Sequence, residues 1–295
     1  MPTVRPPAVA GMFYPAEPGQ LAQEVQQLLA DARPYDLAPK ALIVPHAGYI
    51  YSGAIAATAY ATLISPDRME QNQSAEGLIG GNSRNRLASP VTSHNRPIAS
   101  RIRRVVLLGP THRVAVRGLA LPGADAFDTP LGRVTLDAAG ARAIAHLPQV
   151  GISAQAHALE HSLEVQLPFL QSVLTDFTLL PLAVGMATAE EVAEVLETVW
   201  GGDETLIVIS SDLSHYLPYA TAQRVDQATA QSILKLQQPI PHDQACGGTP
   251  ISGLIVAAQK HHLAPHLLDL RNSGDTAGSQ DRVVGYAAFA FTPPT

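Results

Sequence analysis

Three short histidine-bearing segments, each directly after an apolar run, carry the side chains best suited to chemistry. Pro45-His46-Ala47-Gly48-Tyr49 follows Ala41 to Val44, Gly109-Pro110-Thr111-His112 follows Val105 to Leu108, and Ser210-Ser211-Asp212-Leu213-Ser214-His215 follows Leu206 to Ile209. Imidazoles bind metals and shuttle protons near neutral pH. In open α/β sheets, ligands bind beyond the carboxyl ends of the strands. If the three runs are parallel strands, His46, His112, Asp212 and His215 project from one sheet edge. Each histidine taken alone could equally satisfy a local turn; the convergence of three is what points to a site.

The single cysteine, Cys246, adds a soft ligand or a nucleophile. Its CGGTP segment precedes the helix-like Ile251 to His262, and a helix N-terminus favours the thiolate. The two glycines let the backbone approach a bound group. The bland reading of a free cysteine is a small buried hydrophobe. A further motif, Glu160-His161-Ser162-Leu163-Glu164, opens an apolar stretch. On a helix His161 and Glu164 would share a face, as would Glu160 and Glu164. That arrangement could supply a general acid or base, hold another ligand from behind, or simply cap a helix. It lacks the zinc-protease spacing of two histidines one turn apart. His94, His146, His157, His242, His261, His262 and His266 show no convergent pattern.

The elements that must position these residues alternate. Apolar runs at Ala41 to Val44, Val105 to Leu108, Thr178 to Val184, Leu206 to Ile209 and Val283 to Phe291 read as strands buried on both faces. Helix-like stretches lie at Leu21 to Ala30, Ser52 to Ile64, Asp137 to His146, Ser162 to Leu174, Ala189 to Trp200, Ala220 to Leu236 and Ile251 to His262. Ser52 and Thr188 are candidate N-caps, and Glu190 and Glu191 suit a first helical turn. The expectation is an α/β fold, a mostly parallel or mixed sheet with helices on both faces. No repeat or long linker divides residues 1–295, which read as one domain. Residues 66–104 interrupt it with a Ser, Asn, Arg and Gly-rich stretch holding seven arginines against three acidic residues. This segment reads as a basic surface insertion, or as a lid or docking arm for an anionic partner.

Composition excludes several classes. The 295 residues, 46% hydrophobic, are enough to bury roughly three quarters of the unfolded surface, so a disordered or fibrous chain is ruled out. One cysteine excludes a disulfide scaffold and suits a reducing compartment. A net charge of -6 argues against nonspecific nucleic-acid binding. No apolar run approaches a membrane span, and Pro and Gly interrupt the start where a signal peptide needs a continuous apolar stretch, so a soluble cytoplasmic protein is expected.

Taken in order, VAGMFYP, PHAGYIYSG, LGPTHR, EHSLEVQLPFL, SSDLSHY and CGGTPISGL resemble the Memo family over nearly the whole chain outside the insertion. The resemblance implies a fold related to the class III extradiol dioxygenases and a non-haem metal pocket at one sheet edge. It implies His46, His112 and Cys246 as metal ligands and His215 as acid or base, with Asp212 close by. A thiolate in place of the dioxygenase carboxylate means that ring cleavage does not follow from the likeness. Two histidines and a thiolate suit iron or copper, and zinc is chemically admissible. The family's company with radical enzymes in microbial genomes implies a modification pathway.

Three functions follow. The first is a metal-dependent oxidoreductase, with His215 moving protons. The second is a binding module in which Phe13, Tyr49 and Tyr51 wall a pocket for a small molecule or peptide, anionic or aromatic in character. The third is a cysteine hydrolase using Cys246, His215 and Asp212. It ranks last because Asp212 and His215 lie in one loop, whereas an orienting acid is usually held separately.

Overall fold

The structure, a computed structural model, describes residues 2–64 and 98–294; residues 66–97 of the arginine-rich segment lie outside the described residues. The first half runs β1 (Val4–Arg5), α1 (Pro18–Asp31), β2 (Ala41–Val44), α2 (Tyr49–Ala61), α3 (Ile98–Arg101), β3 (Arg104–Pro110), β4 (Leu119–Leu121), β5 (Ala126–Thr129) and β6 (Gly132–Thr135). Then come α4 (Ala138–Ile144), β7 (Val150–Ile152), α5 (Ala154–Ala158), a 3-10 turn (Glu164–Gln166), α6 (Leu167–Val173), β8 (Thr178–Val184) and α7 (Ala189–Thr198). The chain closes with β9 (Thr205–Ser210), β10 (His215–Leu217), α8 (Tyr219–Leu234), α9 (Gly248–Lys260), β11 (Ala264–Asn272), a second 3-10 turn (Ser273–Asp275) and β12 (Val283–Thr292).

All five apolar runs are strands of one mixed sheet, ordered β10-β12-β2-β9-β3-β8-β4-β7 with β11 paired to β12. Its centre, β2-β9-β3-β8, is parallel, as a strand-end site requires. The β12–β2, β11–β12 and β4–β8 pairings are antiparallel. Successive side chains of a strand point to opposite faces. Leu42, Val44, Val105, Leu107, Leu206 and Val208 accordingly enter one core, which includes residues of α1, α2 and α6. Ala41, Ile43, Val106, Leu108, Ile207 and Ile209 enter a second core with α7 and α9. Both faces are apolar because both are covered, which is why the runs are continuous rather than alternating. A small sheet, β1-β5-β6, stands apart.

Helix α1 buries Leu21, Val25 and Leu29 at successive i, i+4 positions. Thr188 caps α7 in a reciprocal box with Glu191, as the sequence suggests. Two local expectations fail. Ser52 does not cap α2: the helix starts at Tyr49 after Gly48, and Ser52 Oγ instead donates to the Ala47 carbonyl from inside the first turn. Residues 162–174 are not one helix, only the 3-10 turn followed by α6. Glu160 Oε1 takes the Ser162 amide proton, and Ser162 Oγ donates to the Pro110 carbonyl. These bonds draw the chain toward the β3 end before a helix can start, so His161, Glu160 and Glu164 share no helical face. At the other end of the arginine-rich segment, residues 98–101 are helical and Arg104 already belongs to β3. Among the described residues no helix is long and apolar enough to cross a membrane.

Candidate metal centre

Because β9 lies between β2 and β3, the loops after these three strands are neighbours. His46 stands two residues past β2 and His112 two past β3, while His161 arrives from the turn that the Glu160 and Ser162 contacts pull inward. One ring nitrogen from each of His46, His112 and His161 lies within 4.8 Å of the others. The His112 and His161 rings stack at 4.6 Å, and His46 meets them edge-on at 5.2 and 5.4 Å. Phe13 covers the outer side of His161, ring to ring at 4.8 Å.

Hydrogen bonds fix which nitrogen faces inward. Ser210 Oγ donates to the Ser162 carbonyl (2.5 Å) and accepts from Gln166 Nε2 (2.8 Å). Its remaining lone pair takes the proton of His46 Nδ1 at 2.9 Å, leaving His46 Nε2 unprotonated. Glu160 is buried and accepts from the His112 and Ser162 amides (2.6 and 2.9 Å) and from His112 Nδ1 (2.8 Å). His161 Nδ1 lies 3.4 Å from the same Oε1. One carboxylate therefore accepts from the His112 imidazole, turning its Nε2 to the shared space, and lies close behind that of His161, the usual backing for histidine metal ligands.

The charges agree. Burial alone would raise the Glu160 carboxyl, but the His112 hydrogen bond and charge, with the two amides, bring it down to about 2. Burial pushes His46 well below 6.5, helped by the neighbouring His112, His161 and His215. Burial likewise lowers His161 to about 4, against the opposing pull of Glu160. Neutral imidazole is the metal-binding form. Three clustered imidazoles and a backing carboxylate therefore suit a borderline transition metal.

Cys246 immediately precedes Gly247, the N-cap of α9. Its Sγ lies 3.4 Å from His46 Nε2 and accepts the Asp212 amide at 3.3 Å. The expected thiolate is not favoured by the chain itself: burial first, then the Asp212 charge, push the thiol up to about 12. The helix dipole is outweighed by the loss of water. Only a coordinated cation would reverse that order. Asp212 accepts the His46 amide at 2.7 Å, and burial raises its carboxyl to about 6.

His215 opens β10, and its Nδ1 donates to the Leu213 carbonyl at 2.8 Å, which frees Nε2. The loop beneath it is locked to β12: the Leu213 amide donates to the Gly285 carbonyl, the Gly285 amide to the Ser214 carbonyl, and the Ser214 amide to Asp226 Oδ1 of α8. Of the aromatic candidates, Phe13 touches His161 and Tyr51 is 38% exposed beside the His46 loop. Tyr49 is buried, its hydroxyl donating to the Val165 carbonyl and its ring packed on Tyr14 and Phe169. Sequence reasoning misses Ser210, for which no local signal exists. For the Glu160 motif it offers the backing of another ligand as one of three roles, but on a helix face that does not form.

Behind the centre, His157 is buried with Nε2 donating to the Ala120 carbonyl and Nδ1 facing no donor; burial lowers it to about 4. Its unfolded value is near 6.5, so below that pH the unfolded chain binds more protons and stability falls with pH. From pH 7 to pH 4 this one side chain is expected to cost about 2 to 3 kcal/mol. Urea unfolding of metal-free protein should show the fall in wild type and a shallower one in His157→Phe; parallel profiles would contradict it.

The model of the Memo-like protein family matches residues 5–91 and 87–290. A MEMO1 family protein of Aquifex aeolicus is 33% identical over 98% of this chain and 99% of its own length. One from Pyrobaculum arsenaticum is 32% identical, again over 98% and 99%. An uncharacterized protein of Escherichia coli K12, solved as a crystal structure, is similar over 68% of this chain and 94% of its own, with a TM-score of 0.44 and 14% identity. With the family model spanning nearly all of the chain and relatives alike from end to end, this chain belongs to the Memo family.

Proposed function

We propose that the protein is a metal-dependent oxidoreductase of the dioxygenase-like kind, with iron or copper at the strand-end pocket. The observation that carries the reading is the convergence of three imidazoles whose Nδ1 atoms face Ser210 or Glu160. His46 and His112 are two ligands. The family pattern makes Cys246 the third, and geometry offers His161 beside it. When bound, such a metal supplies redox capacity and Lewis acidity.

The chain's own residues supply the rest. Glu160 and Ser210 keep the imidazole lone pairs aimed inward. His215 Nε2 accepts or delivers a proton, and Asp212, raised to about 6 and within electrostatic reach of His215, can hold one. Phe13 and Tyr51 wall the opening. The free Cys246 thiol suits the reducing cytoplasm.

Elemental analysis of anaerobically purified protein tests the reading. About one iron or copper per chain is expected, with loss in Cys246→Ser assigning the sulfur and loss in His161→Ala assigning the third imidazole. His215→Ala should keep the metal and lose at least about 100-fold in turnover, the usual contribution of a general acid or base. Metal-free wild type that also refuses added Fe(II) and Cu(I) would favour a binding module. The exposed Met12, Ile50 and Tyr216, each next to a candidate site residue in the chain, and the exposed Tyr51 itself are the observation on that side.

A further inference from the structure

One buried carboxylate ties the N-terminal segment to the pocket. Glu164 is fully buried and accepts four hydrogen bonds: Arg5 Nη1 (2.6 Å) and the Ala8 amide (2.8 Å) on Oε2, the Val9 amide (3.0 Å) and the Tyr14 hydroxyl (2.5 Å) on Oε1. Its acceptor capacity is filled, which a buried charge requires. Arg5, also buried, uses its other donors on three carbonyls: Nε reaches His157 and Nη2 reaches Glu160, both at 2.7 Å, and Nη1 reaches the adjacent Pro6 at 3.4 Å.

The His157 and Glu160 carbonyls bracket the turn that matters. His157 lies in the last turn of α5, and Glu160 is the residue whose carboxylate accepts from His112 and lies behind His161. On the far side of Glu164, the Val9–Tyr14 stretch carries Phe13 onto the His161 ring, and the Phe13 carbonyl accepts the Tyr49 amide at the end of the His46 loop. A planar guanidinium presents donors in a rigid fork that an ammonium cannot copy. Here the fork spans the carboxylate and both ends of the turn.

We infer that Arg5 is a positioning residue of the metal pocket, fixing the His157–Glu160 turn and thereby the carboxylate that aims His112 and lies behind His161. The Glu160 carbonyl that it grips is 155 residues away in the chain. One readout below rests on the proposed metal site; the other does not.

The test uses Arg5→Lys, which keeps the charge opposite Glu164 but lacks the fork, and Arg5→Met/Glu164→Gln, which removes both charges should the lysine variant fail to fold. Arg104→Met is the control. It breaks a partly exposed ion pair with Asp137 (2.7 Å) at the opposite end of β3, away from the pocket. In metal-free protein, imidazole 15N spectra should show His112, whose Nδ1 bonds Glu160, moving from one tautomer to a mixture in the Arg5 variants, with His46 unchanged. With Co(II) as probe, affinity should fall about 10- to 100-fold and the visible absorption bands should change, as for other groups that back metal ligands. The control should alter neither. Folded Arg5 variants with wild-type tautomers overturn the inference, as does a control that shifts them equally. Wild type that refuses Co(II) overturns the metal reading instead, and the imidazole spectra then decide the role of Arg5.

Discussion

His46→Ala is expected to bind Fe(II) or Cu(I) at least about 100-fold more weakly than wild type while keeping its secondary structure. Mutating the groups behind metal ligands already costs 10- to 100-fold, and a lost ligand costs more. His46 is the member of the cluster with least freedom: 1% exposed, backed by Ser210, tied through its amide to Asp212, and in contact with Cys246 Sγ. The neighbouring imidazoles are already engaged: His112 by Glu160, His161 by packing on Phe13 and His112, and His215 by Leu213. Anaerobic titration followed by elemental analysis checks it, alongside His112→Ala. Stoichiometric, tight metal in both variants would sink the strand-end site. Glu160→Gln should fall in the 10- to 100-fold range, since the carboxylate uses both oxygens, Oε2 for the His112 amide and Oε1 for the Ser162 amide and His112 Nδ1, and glutamine keeps only one acceptor oxygen and turns an NH2 group toward a donor.

The second large effect is structural in origin and functional in readout. A Cβ on Gly285 would sit 2.1 Å from Asp226 Oδ2, so Gly285→Ala must displace a buried carboxylate. Asp226 cannot retreat without releasing the Ser214 amide, and Gly285 itself bonds Leu213 and Ser214. Overpacking together with a stranded buried polar group costs about 2 to 4 kcal/mol. The damage falls on Leu213, Ser214 and the His215 that follows them, and leaves Glu160, His112 and His161 alone. Chemical denaturation should register the loss, metal stoichiometry should remain at the wild-type level, and turnover should drop with that of His215→Ala. Stability within 0.5 kcal/mol of wild type, at the level of an innocuous surface change, would show that the contact relaxes.

The contrast between these two predictions reflects what a linear sequence displays. Strands covered on both faces leave continuous apolar runs, and both ends of Ala41–Val44 can be read to the residue because Lys40 and Pro45 flank it, as can the end of Thr178–Val184 before Gly185. His46, His112 and His215 are visible because each follows such a run. Helix starts are less legible: Ser52 looks like a cap, yet Gly48 begins the helix one turn earlier. The 160–166 segment misleads most. Its pattern is helical, but Glu160 and Glu164 are drawn to His112 and Arg5, partners far off in the chain, and tertiary hydrogen bonds override the local preference. The Cys246 thiol errs in the same way, because burial depends on what surrounds it rather than on its neighbours in sequence.

The order of strands in the sheet also sets when this centre can exist. β2, which presents His46, is bracketed by β9 and β12, and the carboxylate that fixes the His46 amide lies 166 residues further on, with the Cys246 sulfur 200 residues away. A chain emerging from the ribosome exposes His46 and His112 long before either has its neighbours. Non-local parallel pairing of this kind is slow to form, and the unpaired strand remains open to wrong partners until the last strand arrives. The pocket is thus completed only once β12 has been made and paired, and a metal is expected to load after that strand is in place rather than on the earlier segments. Truncation within β12, which holds none of the proposed ligands, would for the same reason abolish loading as thoroughly as removing a histidine.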